Sequence, residues 1–181
     1  MVARASMAAL VALMREMVSD PAGVSPVFSD DQVQAALDEH RTDVRYEQLE
    51  PVETLAPTGT FWNDYYSRFR YWEASAILQD SAWATLTPDS AELIVGRWHF
   101  AASQNPPVYA TGNVFDVYAA AADLLDRWAA KLKLDADFTL ASGRGVQRRQ
   151  KIENLRALAA EYRGKAQAVT YEVERGDCGV F

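Results

Sequence analysis

The feature that most constrains the fold of this chain is a change of hydrophobic period along its 181 residues. Within residues 7–18 the apolar side chains recur at intervals of three and four, the period of a helix with one buried stripe. The same period returns in residues 113–165. Residues 42–111 instead contain short apolar runs separated by proline and glycine. This pattern predicts helices at both ends of the chain and β-structure between them.

Local signals predict where the later helices begin. Ser29 is placed to cap a short second helix, and Gln32, three residues on, completes a capping box. Asn113 is predicted to cap the third helix, with Asp116 at its third position, where a negative charge suits the helix dipole. The fourth helix is predicted over residues 145–165.

The middle of the chain is rich in aromatic residues. Ten of the 20 aromatics lie between Phe61 and Phe100, and they include four of the five tryptophans. Aromatic residues favour strands and fill the core of a small sheet. Residues 42–111 are therefore predicted to form a compact antiparallel β module.

Together these signals predict an α+β fold that is mainly an α-helical bundle of about four helices. Residues 1–41 and 112–168 are predicted to form the helical core, and residues 42–111 the inserted β module. Alternation of apolar and polar residues near the end predicts an extended C-terminal arm over residues 169–181.

Composition excludes several classes of protein. The formal charge of −7, from 25 acidic and 18 basic residues, argues against a protein that wraps nucleic acid over its whole surface. A single cysteine excludes a disulfide framework, and with two histidines it makes a structural zinc site improbable. The apolar run over residues 7–14 is too short to span a bilayer, and no signal-peptide cleavage site follows it. We expect no membrane association.

The sequence contains no recognisable catalytic constellation. A catalytic or metal-binding role for His40 or His99 would need partners that converge on it, and the sequence identifies none; Cys178 has no histidine near it in sequence. Residues 143–145 (Gly-Arg-Gly) lack both the third glycine of a dinucleotide loop and the Gly-Lys-Ser/Thr of a phosphate loop. We therefore predict no catalytic, cofactor-binding or metal-binding residues, and no enzymatic activity.

Charge is distributed unevenly along the chain. Residues 20–92 contain 14 acidic and 4 basic residues, a net charge of −10, whereas residues 142–167 contain 7 basic and 2 acidic residues, a net charge of +5. One interpretation is two solvated faces of opposite sign. The other is that copies of the chain, or successive rings of different proteins, meet through complementary patches.

The final third of the chain resembles head–tail connector (adaptor) proteins of long-tailed bacteriophages. The resembling segments are residues 108–129 (VYATGNVFDVYAAAADLLDRWA), 135–138 (DADF), 147–151 (QRRQK) and 155–163 (LRALAAEYR). They match an Ala-rich helix with Leu-Leu and Trp, an Asp-Phe turn, and a closing helix with a Tyr-Arg end. Arg149-Gln150-Lys151 stands where a Ser-Gln-Lys triplet is common. The first 40 residues resemble the family only in layout. The β module is a larger departure from the smallest family members, which keep little more than the helices.

The resemblance implies a structural protein of the virion neck, assembled in the host cytoplasm. Such a protein forms a ring of about twelve subunits beneath the portal at the capsid vertex. The ring extends the channel through which packaged DNA passes without sequence-specific binding. It also docks the next neck or tail protein.

The resemblance also implies which residues form the interfaces, because family members dock a C-terminal arm or final helix onto the portal. The corresponding candidates for contacts with the portal or with neighbouring subunits are Arg148, Arg149, Lys151, Arg156, Tyr162, Arg163, Tyr171, Val173 and Phe181. The last three lie in the predicted arm, which suits addition of a strand to a neighbour's sheet edge.

Two alternatives remain open at the level of sequence. The basic last helix suits a small DNA-binding or regulatory protein, although no aromatic residue is interleaved there to stack on bases. The aromatic β module suits an enzyme that binds a sugar or another ring by stacking, although no acid–base pair accompanies the aromatics.

Overall fold

The computed structural model describes residues 3–20, 23, 25–57, 59–137 and 145–166. The α-helices in this part of the chain are α1 (Ala8–Met17), α2 (Asp30–Glu39), α3 (Val117–Asp137) and α4 (Gly145–Lys165), with a 3-10 turn at Ala5–Met7 before α1. The strands are β1 (Arg41–Gln48), β2 (Glu50–Ala56), β3 (Gly59–Tyr66), β4 (Ile77–Gln79), β5 (Thr85–Leu86), β6 (Ser90–Glu92), β7 (Arg97–His99) and β8 (Tyr109–Phe115).

The prediction of a mainly α-helical bundle is wrong. In the part of the chain that the structure describes, two four-stranded antiparallel sheets accompany four α-helices, which makes a roughly balanced α+β fold. The strands were underestimated because β1 and β2 contain few buried apolar residues. Only two residues of β1 and none of β2 are buried, and strands of this kind lack a strong alternating hydrophobic pattern.

The eight strands form sheets with the orders β1-β8-β4-β5 and β2-β3-β7-β6. Side chains from both sheets enter one hydrophobic core. Its buried members are Val44, Leu49, Tyr65, Trp72, Leu78, Trp98, Phe100, Val108, Ala110 and Val114. This core belongs to the β module.

The helices build a separate core. Apolar side chains of α1, α2 and α3 are fully buried against one another, and Ala159 of α4 joins them. Phe115, the last residue of β8, also belongs to this cluster. Because β1 follows α2 and β8 precedes α3, the antiparallel β1–β8 pair connects the β module to the helices.

The predicted capping box of α2 is confirmed. The Ser29 hydroxyl accepts a hydrogen bond from the Gln32 backbone N–H at 3.3 Å, and the Gln32 side-chain oxygen accepts one from the Ser29 N–H at 2.9 Å. The prediction for α3 is wrong, because Asn113 lies within β8. Asp116 performs the capping role instead, its carboxylate accepting from the backbone N–H groups of Tyr118 and Ala119.

The Ser29→Ala variant is expected to lower the free energy of unfolding by about 1 kcal/mol, because it removes the acceptor for an N–H group at the start of α2. Urea denaturation monitored by circular dichroism measures the change. Ser90→Ala on the exposed edge strand β6 is the matched control and should stay within about 0.5 kcal/mol of the wild type. An equal loss in both variants would contradict a capping role.

Buried polar side chains join the β module to the N-terminal segment. Glu73 is 3% exposed, and its carboxylate accepts hydrogen bonds from the Ser6 hydroxyl at 2.6 Å, the Arg4 guanidinium at 3.2 Å and the Asn113 amide at 2.9 Å. Arg4 also forms a bidentate ion pair with Asp38 of α2. This cluster therefore fixes the relative position of the helices and the sheets.

Candidate interaction surfaces

Helices α3 and α4 form an antiparallel hairpin, only part of which is buried. The first half of α3 lies in the helical core, and α4 covers it with Leu155, Leu158, Ala159 and Tyr162. Residues 130–134 of α3 and 149–154 of α4 include no buried side chain. These segments, which form the distal half of the hairpin as far as its side chains are described, therefore lie beyond the core with most of their side chains exposed.

Two of the predicted interface residues fasten the hairpin to the core. The Tyr162 hydroxyl donates a hydrogen bond to the Met17 carbonyl at 3.0 Å, and its ring lies 5.9 Å from that of Tyr118. Arg163 forms ion pairs with Asp123 and with Asp126 of α3. Both side chains thus make contacts within the chain that hold the end of α4 in place.

Ion pairs also tie α2 to α3. His40 contacts Asp123 at 2.8 Å, and Glu39 pairs with Arg127 at 2.6 Å. Burial raises the pKa of Asp123, but hydrogen bonds from His40 and Arg163 outweigh it and leave that pKa below its ordinary value.

Glu39, His40 and Asp123 place ligand-type atoms within 4.8 Å of one another, as a metal site does. However, guanidinium groups already neutralise both carboxylates, since Arg127 pairs with Glu39 and Arg163 with Asp123. We therefore interpret this cluster as an ion-pair network that joins three helices.

The exposed cations of the hairpin lie on its distal half and outer face. Arg149 pairs with Glu153 one turn along α4, and the Lys151 ammonium lies 4.8 Å from the centre of the Trp128 ring. Arg156 is exposed and forms no ion pair with any residue that the structure describes. Lys131 on α3 is likewise exposed. Arg156 and Lys131 therefore carry exposed positive charge.

Four other predicted interface residues lie wholly or partly outside the described part of the chain. Arg148 lies in the first turn of α4, and its side chain falls outside the described part of the chain. Tyr171, Val173 and Phe181 lie outside the described residues, as does the predicted arm to which they belong.

The acidic stretch over residues 20–92 is not a uniform charged surface. Asp20, Glu47 and Glu73 are buried, and each accepts hydrogen bonds from groups inside the fold. Burial raises the pKa of Glu47, opposed by hydrogen bonds from the Ser67 hydroxyl and the Arg68 backbone N–H. The exposed negative charge is therefore smaller than the net charge of −10 indicates.

Sequence reasoning missed two exposed apolar surfaces in the β module. One is the hairpin of β2 and β3, where Leu55 is 78% exposed. The other surrounds Trp83, which lies in the turn between β4 and β5 and contacts Tyr46 and Tyr109. The sequence did contain one indication of the second surface, because Trp83 lies within a short polar segment, a position that does not suit a core residue.

Among the described residues, no helix is both long and apolar enough to cross a membrane.

Comparison of the chain with protein-family models, with curated proteins and with solved structures finds no match.

Proposed function

We propose that this chain is a head–tail connector of a tailed bacteriophage. In this role it is a non-enzymatic structural protein of the virion neck that requires no cofactor. Copies of the chain form a ring below the portal, extend the DNA channel and dock the next neck or tail protein. Packaged DNA passes through the ring without sequence-specific binding.

The observation that supports this proposal is the projecting α3–α4 hairpin. Of the segments that resemble connectors, residues 108–129 contain β8 and the first part of α3, and residues 155–163 lie in the second half of α4. The base of the hairpin is held by buried apolar contacts and by the Arg163 ion pairs, while its outer half exposes cations. A rigid element with exposed charge suits the docking of a partner of opposite charge.

Charge reversal on the outer face of α4 tests the proposal. We expect the double variant Arg149→Glu/Arg156→Glu to bind the portal ring encoded in the same genome about tenfold more weakly or worse, because it replaces attraction with repulsion. Neither side chain is buried, and the Arg149–Glu153 pair that the variant loses is exposed and contributes no more than about 1 kcal/mol, so we expect the fold to be retained. Binding is measured by surface plasmon resonance at several salt concentrations.

The control is Arg70→Glu, a single charge reversal at an exposed position of the β module, compared with Arg149→Glu and Arg156→Glu made one at a time. It should leave portal binding unchanged. Portal binding that is equal in the wild type and the double variant would contradict the docking role of α4. Duplex DNA binding that falls steeply with salt and is lost in the double variant would instead favour the DNA-binding alternative.

A further inference from the structure

A two-stranded arm projects from the second sheet. Strand β7 pairs only with the Asp64–Tyr66 end of β3, whereas the pairing of β2 with β3 continues out to Ala56 and Gly59. Trp62 packs on the core of the β module and bonds to Ser103 and Gln104, so we define residues 53–57 and 59–61 as the β2–β3 arm. A two-stranded hairpin without a third strand is only marginally stable in water, so the arm gains stability from any surface that covers it.

The arm presents large apolar side chains to solvent. Leu55 is 78% exposed, and Phe61 is 36% exposed. Leu55 is paired with Thr60, and Phe61 with Thr54, so the two apolar side chains lie on opposite faces of the arm. Glu53, two residues before Leu55, shares its face and forms no ion pair with any described residue.

A second apolar surface lies on the outer face of the first sheet. The ring of Trp83 stacks on that of Tyr109 with centroids 5.4 Å apart, and Tyr46 meets Trp83 edge-on at 5.1 Å. Tyr46 and Trp83 are 57% and 55% exposed. Ile77, on the neighbouring β4, is half exposed as well. We call these four residues the aromatic patch.

The backbone is strained where it displays this patch. Tyr46 and Trp83 have φ angles of +54° and +64°, a left-handed conformation that is unfavourable for residues with large side chains. A bulge in β1 places both Arg45 and Tyr46 opposite the single residue Thr111. The turn that carries Trp83 is held by Asp80, whose carboxylate accepts two backbone N–H groups at 2.8 Å. Strain of this kind clusters at binding surfaces.

The charges beside the two surfaces are complementary. The bulge directs Arg45 to the same outer face as Tyr46, and Arg45 is exposed and forms no ion pair with any described residue. Glu53 lies about 7 Å from Leu55 along the arm, the spacing of residues two apart in a strand. Seating Leu55 on the aromatic patch therefore brings Glu53 within reach of Arg45.

We propose that the β2–β3 arm of one copy of this chain packs on the aromatic patch of the next copy. Leu55 fills the angle between Trp83 and Tyr46, and Glu53 pairs with Arg45 at the rim. An uncharged aromatic centre with charges at its edge is typical of protein interfaces.

A contact between two different surfaces repeats head to tail and closes into a ring when the rotation suits. The inference rests on the proposed function, because it assigns the contact between subunits of that ring. It does not involve the outer face of α4, so the two proposals are tested by different residues.

Two variants that each lose one surface test the contact. Leu55→Glu disables the arm and leaves the patch intact, whereas Tyr46→Ala/Trp83→Ala disables the patch and leaves the arm intact. By sedimentation velocity, each alone should associate at least tenfold more weakly than the wild type. An equimolar mixture should form heterodimers that grow no further, because only one intact arm–patch contact is available.

A charge swap provides the matched control. Arg45→Glu and Glu53→Arg are each expected to weaken association severalfold, and the two changes combined in one chain should restore it. Arg70→Glu, an equal change at an exposed cation elsewhere in the β module, should have no effect.

A disulfide trap detects even a weak contact. In a Cys178→Ser background, Leu55→Cys with Ile77→Cys should give a ladder of cross-linked species under mild oxidation. A wild type that stays monomeric at about 1 mM together with the absence of that ladder would overturn the inference. So would a mixture of the two variants that contains only monomers.

Two further outcomes separate this inference from its rivals. Loss of portal binding in the arm and patch variants, with self-association unchanged, would assign these surfaces to the portal and overturn the inference. Saccharide binding that requires Trp83, again with self-association unchanged, would overturn it in favour of a stacking site. Normal assembly of the chain without portal binding would instead contradict the proposed function and leave the contact standing.

Discussion

Replacing Trp72 with alanine is expected to remove about 3–5 kcal/mol from the free energy of unfolding. Trp72 is 1% exposed in the core shared by the two sheets, and its ring meets that of Trp98 edge-to-face at 5.4 Å. Its indole N–H also donates to the Ser67 hydroxyl and the Phe69 carbonyl, both at 3.2 Å. The substitution therefore removes apolar contacts and a hydrogen-bond donor, and it leaves a cavity.

Urea denaturation monitored by far-ultraviolet circular dichroism measures this loss without relying on tryptophan fluorescence. Trp83→Ala makes the same chemical change at a half-exposed ring and should cost less than about 1 kcal/mol. Trp72→Phe retains much of the volume without the N–H and should fall between them. A loss of under about 1 kcal/mol in Trp72→Ala would contradict a core shared by both sheets.

Glu73→Gln is expected to lower the free energy of unfolding by about 3 kcal/mol at neutral pH. The carboxylate accepts hydrogen bonds from Arg4 and Ser6 of the N-terminal segment and from Asn113 of β8. A glutamine turns an amide group toward some of these donors and leaves the Arg4 guanidinium without one of its charged partners. Glu53→Gln, at an exposed carboxylate, is the control and should change stability by less than about 0.5 kcal/mol.

The pH dependence of the same variant checks the mechanism. Burial raises the pKa of Glu73, but hydrogen bonds from Asn113 and Ser6 and the charge of Arg4 outweigh it, so that the pKa lies below its ordinary value of 4.5. A carboxyl group with a lowered folded-state pKa stabilises the fold fully above its unfolded pKa, and this contribution is lost as the pH falls through the folded pKa.

Stability curves of the wild type and Glu73→Gln should therefore be farthest apart near neutral pH and converge in acid. A constant difference from neutral pH down to pH about 3 would show that the loss comes from packing and not from the charge of Glu73.

The helices of the described chain were largely predictable from sequence because their signals are local. The box formed by Ser29 and Gln32 lies within one helical turn, and the apolar period of α1 needs no knowledge of its partner. The start of α3 was misplaced by three residues, since β1 pairs with β8 as far as Phe115 and holds Asn113 in the sheet. Pairing between distant strands overrode a local capping preference.

The sheets were less predictable because their strands alternate weakly. The hydrophobic pattern of a strand depends on which face is covered, and most residues of β1 and all residues of β2 are exposed in the described part of the chain. The aromatic residues were expected to fill the core, and Trp72 and Trp98 do so. Trp83 does not, because a left-handed turn directs its ring to the outer face.

The candidate interfaces were also only partly predictable from the sequence. The sequence alone located the basic stretch of the last helix, yet it did not distinguish Arg156, which is exposed, from Arg163, which pairs with Asp123 and Asp126. Likewise it did not show that Glu73 is buried while Glu53 lies on an exposed arm.

By itself, the sequence determined the order of helical and β segments, the α2 cap and the uneven charge. These follow from interactions within a turn or two of the chain. Only the tertiary structure decided which charges are neutralised internally, which aromatics face solvent, and that β2 and β3 form an arm. Those properties depend on contacts between residues tens of positions apart, for which a single sequence contains no local signal.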